Sequence, residues 1–345
     1  MPLFSASQLE EIGRVIFRAV GTPEDLAERV ARSLARNNQM GHDSHGVIRI
    51  PGYIQEIENG SMVADARPVI EKETASTALV NGNWAFGLVS AQFATEVAIE
   101  KARKSQVAAV SINRCNHIGR VGGYTEMAAA EGMAAFVLCG IVTSNGSPGA
   151  VAPFGGAERV LGTNPISMAV PAREGEPVVL DYATSVAAEG KVRVARAKNE
   201  PLPPGEILDK DGNPSTDAND FYNGGVLLPF GGHKGYALSV MADLLGGYLS
   251  SSDVFPNGLE AFGTLIVVLN VEAFRPLAEF REAVSGRLQK IKSVRPAPGF
   301  SEVMLPGEPE RRTLLRRAKE GINLPEDTYS KLQDTAAKLG VELPA

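Results

Sequence analysis

Apolar residues recur at helical spacing through the first sixty positions. Ser5 with Gln8 predicts a capping box at the start of one helix. The run Thr22-Pro23-Glu24-Asp25 predicts a capped second helix with proline at its first position. Leu26, Val30 and Leu34 repeat every four residues down that helix, which should stop near Asn37-Asn38, with Gly41 as a left-handed terminator. From about Ala75 the pattern changes to short β-rich runs alternating with helical stretches. Thr77–Val80, Val107–Ile112, Ala135–Val142, Ile166–Val170, Val178–Leu180 and Leu265–Leu269 predict strands. Val89–Arg103, Tyr124–Glu131, Lys234–Leu249 and Pro276–Lys292 predict helices.

Strands interleaved with helices indicate an α/β protein whose helices cover a sheet, with parallel or mixed order left open by the pattern. The charge-dense stretches Glu310–Glu320 and Pro325–Leu339 return to helix and should pack beside the N-terminal helices. The expected organisation is a helical part over 1–75, an α/β core over 76–290 and a C-terminal segment over 291–345. Glycine- and proline-rich stretches at Thr143–Gly156, Leu202–Gly205 and Phe230–Gly235 are brief and lie between elements, so they read as site loops and not linkers.

Composition narrows the class. With 345 residues, 44% hydrophobic and 21% charged, the chain can bury a substantial core and has the balance of a globular protein. A formal charge of -6 with no Lys/Arg block gives nucleic acid nothing to bind. The start Met1-Pro2-Leu3-Phe4-Ser5 lacks the basic and apolar regions of a secretion signal, and no apolar run approaches the ~18 residues that span a bilayer. Cys115 and Cys139 read as free thiols in a reducing compartment, so the expectation is a cytoplasmic protein without membrane partners.

No glycine pair is spaced G-x-G anywhere and no G-x-x-x-x-G-K-[ST] loop occurs, which argues against a Rossmann dinucleotide site and an ATP or GTP phosphate loop. Two histidine motifs stand out. Gly41-His42-Asp43-Ser44-His45-Gly46, followed by Arg49 and Tyr53, falls where a loop enters a helix. A helix starting after Ser44 would put His45, Arg49 and Tyr53 along one face, although Pro51 disturbs that picture. An imidazole can exchange a hydroxyl proton near neutral pH, and a guanidinium can clamp a carboxylate. The plain alternative is that Ser44 caps a helix and His45 satisfies a buried hydrogen bond. Asn113-Arg114-Cys115-Asn116-His117-Ile118-Gly119-Arg120 follows a predicted strand, where ligands of α/β sheets tend to bind; the alternative is a polar loop before a capped helix. His42, His45 and His117 with Asp43 make a weak zinc reading, and Ser44 a weaker hydrolase reading without a G-x-S-x-G elbow. Phe230-Gly231-Gly232-His233-Lys234-Gly235 opens a helix with backbone and a cation where a pyrophosphate could rest.

Eight segments in order resemble the malate/L-lactate dehydrogenase family that lacks a Rossmann domain, and look most like its hydroxycarboxylate dehydrogenase branch. They are GHDSHG at 41–46, CNHIGRVGGYTE at 115–126, APFGG at 152–156, GTNP at 162–165, LDYATS at 180–185, GK at 190–191, HKGYAL at 233–238 and LPGE at 305–308. The resemblance, from about Ala35 to Gly321, implies a three-layer α/β/α fold around a mixed sheet, a homodimer, and NAD or NADP as cofactor. It implies hydride transfer to or from a small 2-oxo or 2-hydroxy carboxylate. By the same likeness His45 or His117 exchanges the proton with Ser44 assisting, and Arg49 and Tyr53 face the substrate. His45, Gly119, Arg120, Val121, Leu180, Asp181, Tyr182, Ala183, Thr184, His233, Lys234, Asn270, Gly307, Glu308, Pro309 and Glu310 would line the cofactor. Imine-reducing members carry an acidic residue where this chain has Lys191, so the likeness favours an oxo acid over a cyclic imine. The alternatives are that imine reductase and a non-catalytic nucleotide- or carboxylate-binding protein.

Overall fold

The computed structural model describes residues 2–143, 149–172, 176–253 and 260–344. Residues 144–148 of the Thr143–Gly156 loop lie outside them. Ser5 caps the first helix, Ala6–Ala19, as expected: its Oγ accepts from Gln8 N, and Gln8 Oε1 accepts from Ser5 N at 2.8 Å. The second helix is Glu24–Gln39, but Thr22 does not cap it. Pro23 holds the cap position, and the buried Thr22 Oγ1 has no hydrogen-bond partner among the described residues.

Seven strands form the main sheet in the order Val69–Glu73, Thr77–Asn81, Val107–Asn113, Glu260–Asn270, Met133–Thr143, Ile166–Val170, Val178–Tyr182. Thr77–Asn81 and Val107–Asn113 run parallel, joined across the helix Gly87–Ser105, as a parallel pair requires. The other neighbouring pairs are antiparallel, so the sheet is mixed. One face, carrying Val110, Ile112, Val137, Cys139, Ile266 and Val268, buries itself under Gly87–Ser105 and the helix Gly122–Ala130.

Side chains alternate along a strand, so Gly140 and Gly263 lie on the opposite face. There the helix His233–Ala242 and its π-helical continuation Asp243–Tyr248 pack backbone to backbone. A Cβ at Gly140 would stand 2.7 Å from Gly247 N, and one at Gly263 would stand 2.6 Å from Gly247 Cα. The architecture is the three-layer α/β/α arrangement. The expected helix Lys234–Leu249 is therefore corrected to an α-helix that widens into a π-turn where glycines let it approach the sheet.

A second core joins Leu9, Ile16, Leu34, Tyr53 and Phe86 to Ile322, Leu324 and Leu332, so the C-terminal segment closes on the N-terminal helices. The short strand Leu3–Phe4 pairs with Ile322–Asn323. A third, smaller cluster gathers Val151, Val192, Ile207, Phe221 and Leu227 beside a three-stranded sheet. Among the elements the pattern does not predict are the exposed edge strand Val69–Glu73 and the polar helix Glu189–Lys198. Among the described residues no helix is long and apolar enough to cross a membrane.

Candidate active site

The turn bearing His45 is clamped from the end of the second helix. Asn37 Nδ2 donates to His45 O at 2.9 Å, Asn38 Nδ2 donates to Asp43 Oδ1 at 2.7 Å, and Asn38 Oδ1 accepts from Val47 N at 2.9 Å. Arg317, from the helix Glu308–Glu320, grips both oxygens of Asp43 and the Asn38 carbonyl. Two single 3₁₀ turns, Asp43–His45 and Val47–Arg49, precede the helix Ile50–Glu58. The continuous helical face expected for His45, Arg49 and Tyr53 is thus corrected. His45 lies before the helix, and Pro51 falls in its first turn, where a missing N–H breaks nothing. Nor does Ser44 cap a helix, for its hydroxyl meets Nδ1 of His45 at 2.9 Å.

His117 follows the strand Val107–Asn113 in a loop held at several points. Asn116 Nδ2 donates to the carbonyls of Trp84 and Ala85 at 2.8 and 3.0 Å, Phe262 N donates to Cys115 O at 2.9 Å, and the Tyr124 hydroxyl donates to Ile118 O. These contacts set the His117 ring on that of His45, with centroids 5.4 Å apart and planes 23° from parallel. Tyr53 Oη stands 2.7 Å from Nδ1 of His117, and the Phe262 ring meets His117 edge-on at 5.4 Å. No described protein group hydrogen-bonds Nε2 of either imidazole. His42 points elsewhere, its Nε2 3.8 Å from the Glu310 carboxylate, so the three histidines do not converge as a metal site would need.

Burial, then the Arg49 guanidinium, pushes His45 down to about 3 and His117 well below its usual value. Both rings are neutral at pH 7. Burial also raises Tyr53, keeping it a phenol. A cavity of about 490 Å³ opens beside His117. Arg49, Gly52, Tyr53 and Glu56 line one side; Asn116, Glu260 and Phe262 line the other, with Arg193 also at its wall. Burial raises the carboxyls of Glu56 and Glu260, and Arg49 opposes the rise. Arg49 itself is braced by its Nε donating to Ser44 O at 2.7 Å. A guanidinium and an imidazole therefore share one cavity. Lys191 is exposed and follows Gly190, at which a Cβ would stand 3.2 Å from Ser44 Cβ.

The residues expected at a cofactor largely adjoin one another. Arg120 Nε lies 3.1 Å from Asp181 Oδ2, and its terminal nitrogens hold Glu126. A Cβ at Gly122 would stand 2.5 Å from Asp181 Oδ2, which places Gly119, Arg120 and Val121 beside Leu180 and Asp181. Gly307 packs on Val179, and Glu310 faces His42. The neighbouring Glu308 turns its carboxylate to Lys292, Leu305 N and Arg312; Pro309 occupies the first turn of its helix.

Beyond Asp181, the ring of Tyr182 meets Phe230 edge-on at 5.1 Å. Ala183 leads to Thr184, whose carbonyl accepts from Phe230 N at 3.0 Å. Gly231 and Gly232, both at positive φ, turn the chain from there into the helix His233–Ala242. A Cβ at Gly231 would meet nothing, Lys234 is exposed, and His233 stands edge-on to Phe154 at 5.9 Å. Open backbone, a helix N-terminus and a cation fit a pyrophosphate-bearing cofactor. Asn270 stands apart from the cavity residue Glu260. It ends the strand that Glu260 begins, roughly 33 Å along at the usual strand rise, and bonds Gln106 at 2.9 Å.

Glu56, Arg193, Glu260, Phe262, Asn37 and Asn38 were not among the expected site residues. Glu56 carried a usable signal, lying one helical turn beyond Tyr53; Arg193 and the two strand residues reach the cavity through tertiary packing alone.

Residues 4–333 match the model of a family described as malate/L-lactate dehydrogenase. A malate/(S)-sulfolactate dehydrogenase from Methanothermus fervidus is 38% identical over 336 residues, covering 95% of each chain. The solved malate dehydrogenase of Pyrococcus horikoshii superposes with a TM-score of 0.89 at 33% identity, over 99% of this chain and 97% of that one. A δ1-piperideine-2-carboxylate reductase from Pseudomonas syringae superposes with 0.83 at 31% identity, over 97% and 100%.

Proposed function

The chain belongs to the malate/L-lactate dehydrogenase family and is a 2-hydroxycarboxylate oxidoreductase, and from that premise we propose that His117 exchanges the hydroxyl proton while C2 of the substrate gains or loses hydride. The observation that carries this is the place of His117 in the wall of the 490 Å³ cavity, beside Arg49 and with Tyr53 on its Nδ1. Such a substrate needs one group to hold the C1 carboxylate and another to take the C2 hydroxyl proton. Arg49 is the first, assisted by Lys191 at the helix start beside Ser44. His117 is the second: its Nδ1–H donates to Tyr53 Oη, which leaves the Nε2 lone pair for the hydroxyl. Burial first, and then the Arg49 charge, keep protons off both imidazoles; a carboxylate on Arg49 offsets the second, so the anion makes its own proton acceptor stronger. His45, stacked behind, limits the pair to one proton, since each charge disfavours the other.

NAD or NADP, when bound, accepts the hydride in oxidation and supplies it in reduction. Gly231–Lys234 would hold the pyrophosphate. His45, Gly119–Val121, Leu180–Thr184 and Gly307–Glu310 would line the rest. Reduced-nicotinamide absorbance, followed with each cofactor and a panel of 2-oxo acids, tests the reading and chooses the cofactor. Tight cofactor binding with no turnover of any acid would sink it and leave a silent binding protein.

A second assignment gives the proton to His45, supported by the Ser44 hydroxyl on its Nδ1. His117→Asn and His45→Asn separate the two, because loss of the true general base costs about 10²–10⁴-fold in rate. Cyclic-imine reduction, named for one structural relative, is disfavoured by Lys191, whose ammonium would face an iminium of like charge.

The free buried thiols Cys115 and Cys139 support a cytoplasmic location. An exposed apolar row on the outer helix, Leu238, Met241, Leu244, Tyr248 and Leu249, supports a homodimer. A solution mass equal to one chain would refute that assembly.

A further inference from the structure

We infer that Glu56 and Glu260 make the far end of the cavity select acids with a positive group distal to C2 and turn away those with a second carboxylate. The inference rests on the reading above, in which Arg49 holds C1 and His117 works at C2. Arg49, Gly52, Tyr53 and Glu56 follow one another at i, i+3, i+4 and i+7, so they share one face of the chain, and all four line the cavity. At 1.5 Å per residue Glu56 lies roughly 10 Å from Arg49 along that face, within reach of the far end of a five-carbon acid anchored at Arg49.

Glu260 approaches the same space from the sheet side, two residues from Phe262, whose ring touches His117. Two carboxylates from different elements thus line the cavity that His117 lines. Arg49 is the cation shared between them, and a substrate carboxylate would occupy it. With Arg49 so engaged, the acids are left to the side chain of the substrate. Arg193, the other cavity cation, lies on the exposed polar helix Glu189–Lys198 and offsets one of the two carboxylates, so one negative charge is left over once Arg49 is engaged.

A second anionic group would therefore meet an excess of carboxylate in the cavity wall, whereas an ammonium or guanidinium would be matched by it. That burial raises both carboxyls is consistent with this: an adjacent cation relieves the same penalty. This chain would then depart from its malate/(S)-sulfolactate relative, which is named for acids with two anionic groups.

Three 2-oxo acids of equal backbone length decide the matter: 5-guanidino-2-oxopentanoate, 2-oxopentanoate and 2-oxoglutarate, with pyruvate as a small reference. For the intact enzyme, kcat/KM should fall in the order guanidino, neutral, dicarboxylate, with at least about tenfold between the extremes. Glu56→Gln and Glu260→Gln should each lower the value for the guanidino acid and raise it for 2-oxoglutarate. Opposite movements separate selectivity from a structural role, which would depress all substrates together. If one variant fails to fold, the other still carries the test. Preference for 2-oxoglutarate, parallel losses in both variants, or turnover of pyruvate alone would overturn the inference and leave the proposed chemistry standing. Turnover of no 2-oxo acid would overturn both.

Discussion

Tyr53 Oη and Nδ1 of His117 are 2.7 Å apart and join the helix Ile50–Glu58 to the loop beyond Val107–Asn113. The hydroxyl oxygen accepts from Nδ1–H in the neutral ring and in the protonated one alike, so the contact holds the tautomer and the imidazole plane through both states. Tyr53→Phe keeps the ring and its packing against Phe86 but removes that control. Steady-state kinetics should show kcat reduced about ten- to a hundredfold with KM changed far less. Thermal unfolding should register only about 1 kcal/mol of lost stability, the ordinary worth of one buried hydrogen bond. Unchanged kcat would remove Tyr53 from the mechanism.

If the Arg49 charge helps keep protons off His45 and His117, an anion that neutralises it must draw a proton in. Oxamate has the shape of a 2-oxo acid and is not reduced. Its binding to the cofactor-loaded enzyme should take up protons, and more of them as pH falls toward 6. Calorimetry in buffers of differing ionisation heat reads this directly, because proton uptake makes the observed enthalpy depend on the buffer. Arg49→Gln should bind oxamate at least about tenfold more weakly and abolish the buffer dependence. Binding with no proton exchange in the native enzyme would refute the coupling.

The depressed imidazoles also fix the sign of the pH response of stability. In the unfolded chain histidine titrates near 6.5, whereas His45 in the folded protein titrates at about 3. Between those values the unfolded state binds a proton that the folded state does not, so stability rises with pH. The contribution is complete above about 6.5 and is lost as pH falls through the window below it. His117 acts in the same direction. The melting temperature should therefore drop between pH 7 and pH 4.5, and less steeply in the double variant His45→Asn/His117→Asn. Parallel slopes would show that carboxylates and not these rings govern acid unfolding.

How far the sequence reveals this site depends on the range of the interaction. Long apolar stretches, such as the alanine-rich Gly87–Ser105 and the unbroken run Met133–Thr143, follow from local composition. The motif histidines stand out because each is bracketed by turn-forming residues. The helix drawn through His45 and Tyr53 was wrong for a physical reason: side-chain hydrogen bonds from Asn37 and Asn38 outcompete helix propagation and fix two 3₁₀ turns instead. Glu260 and Phe262 reach His117 only because their strand inserts between two earlier ones, and pairing that distant has no local signature. Asn270, carried over by likeness alone, ends that strand and bonds Gln106, a pairing that has no local signature either.

The same asparagine clamp makes a glycine decisive. A Cβ built on Gly46 would stand 2.1 Å from Asn38 Oδ1 and 2.6 Å from Asn38 Nδ2, so Gly46→Ala cannot keep the Asn38 amide where it is. That amide accepts from Val47 N and donates to Asp43, and Asp43 in turn is gripped by Arg317. Displacing it leaves buried polar groups without partners, at about 1–3 kcal/mol each, and lets the His45 turn drift from His117. Gly46→Ala should lower the unfolding free energy by about 2 kcal/mol or more and reduce kcat at least tenfold. Asn38→Ala separates the two consequences, because it makes room beside Gly46 while still losing the clamp. Combined with Gly46→Ala it should cost little more than either change alone, since both act on one amide. Denaturant unfolding of the two single variants and the double variant reads that coupling, and strictly additive losses would show that Gly46 serves some other end than making space for Asn38.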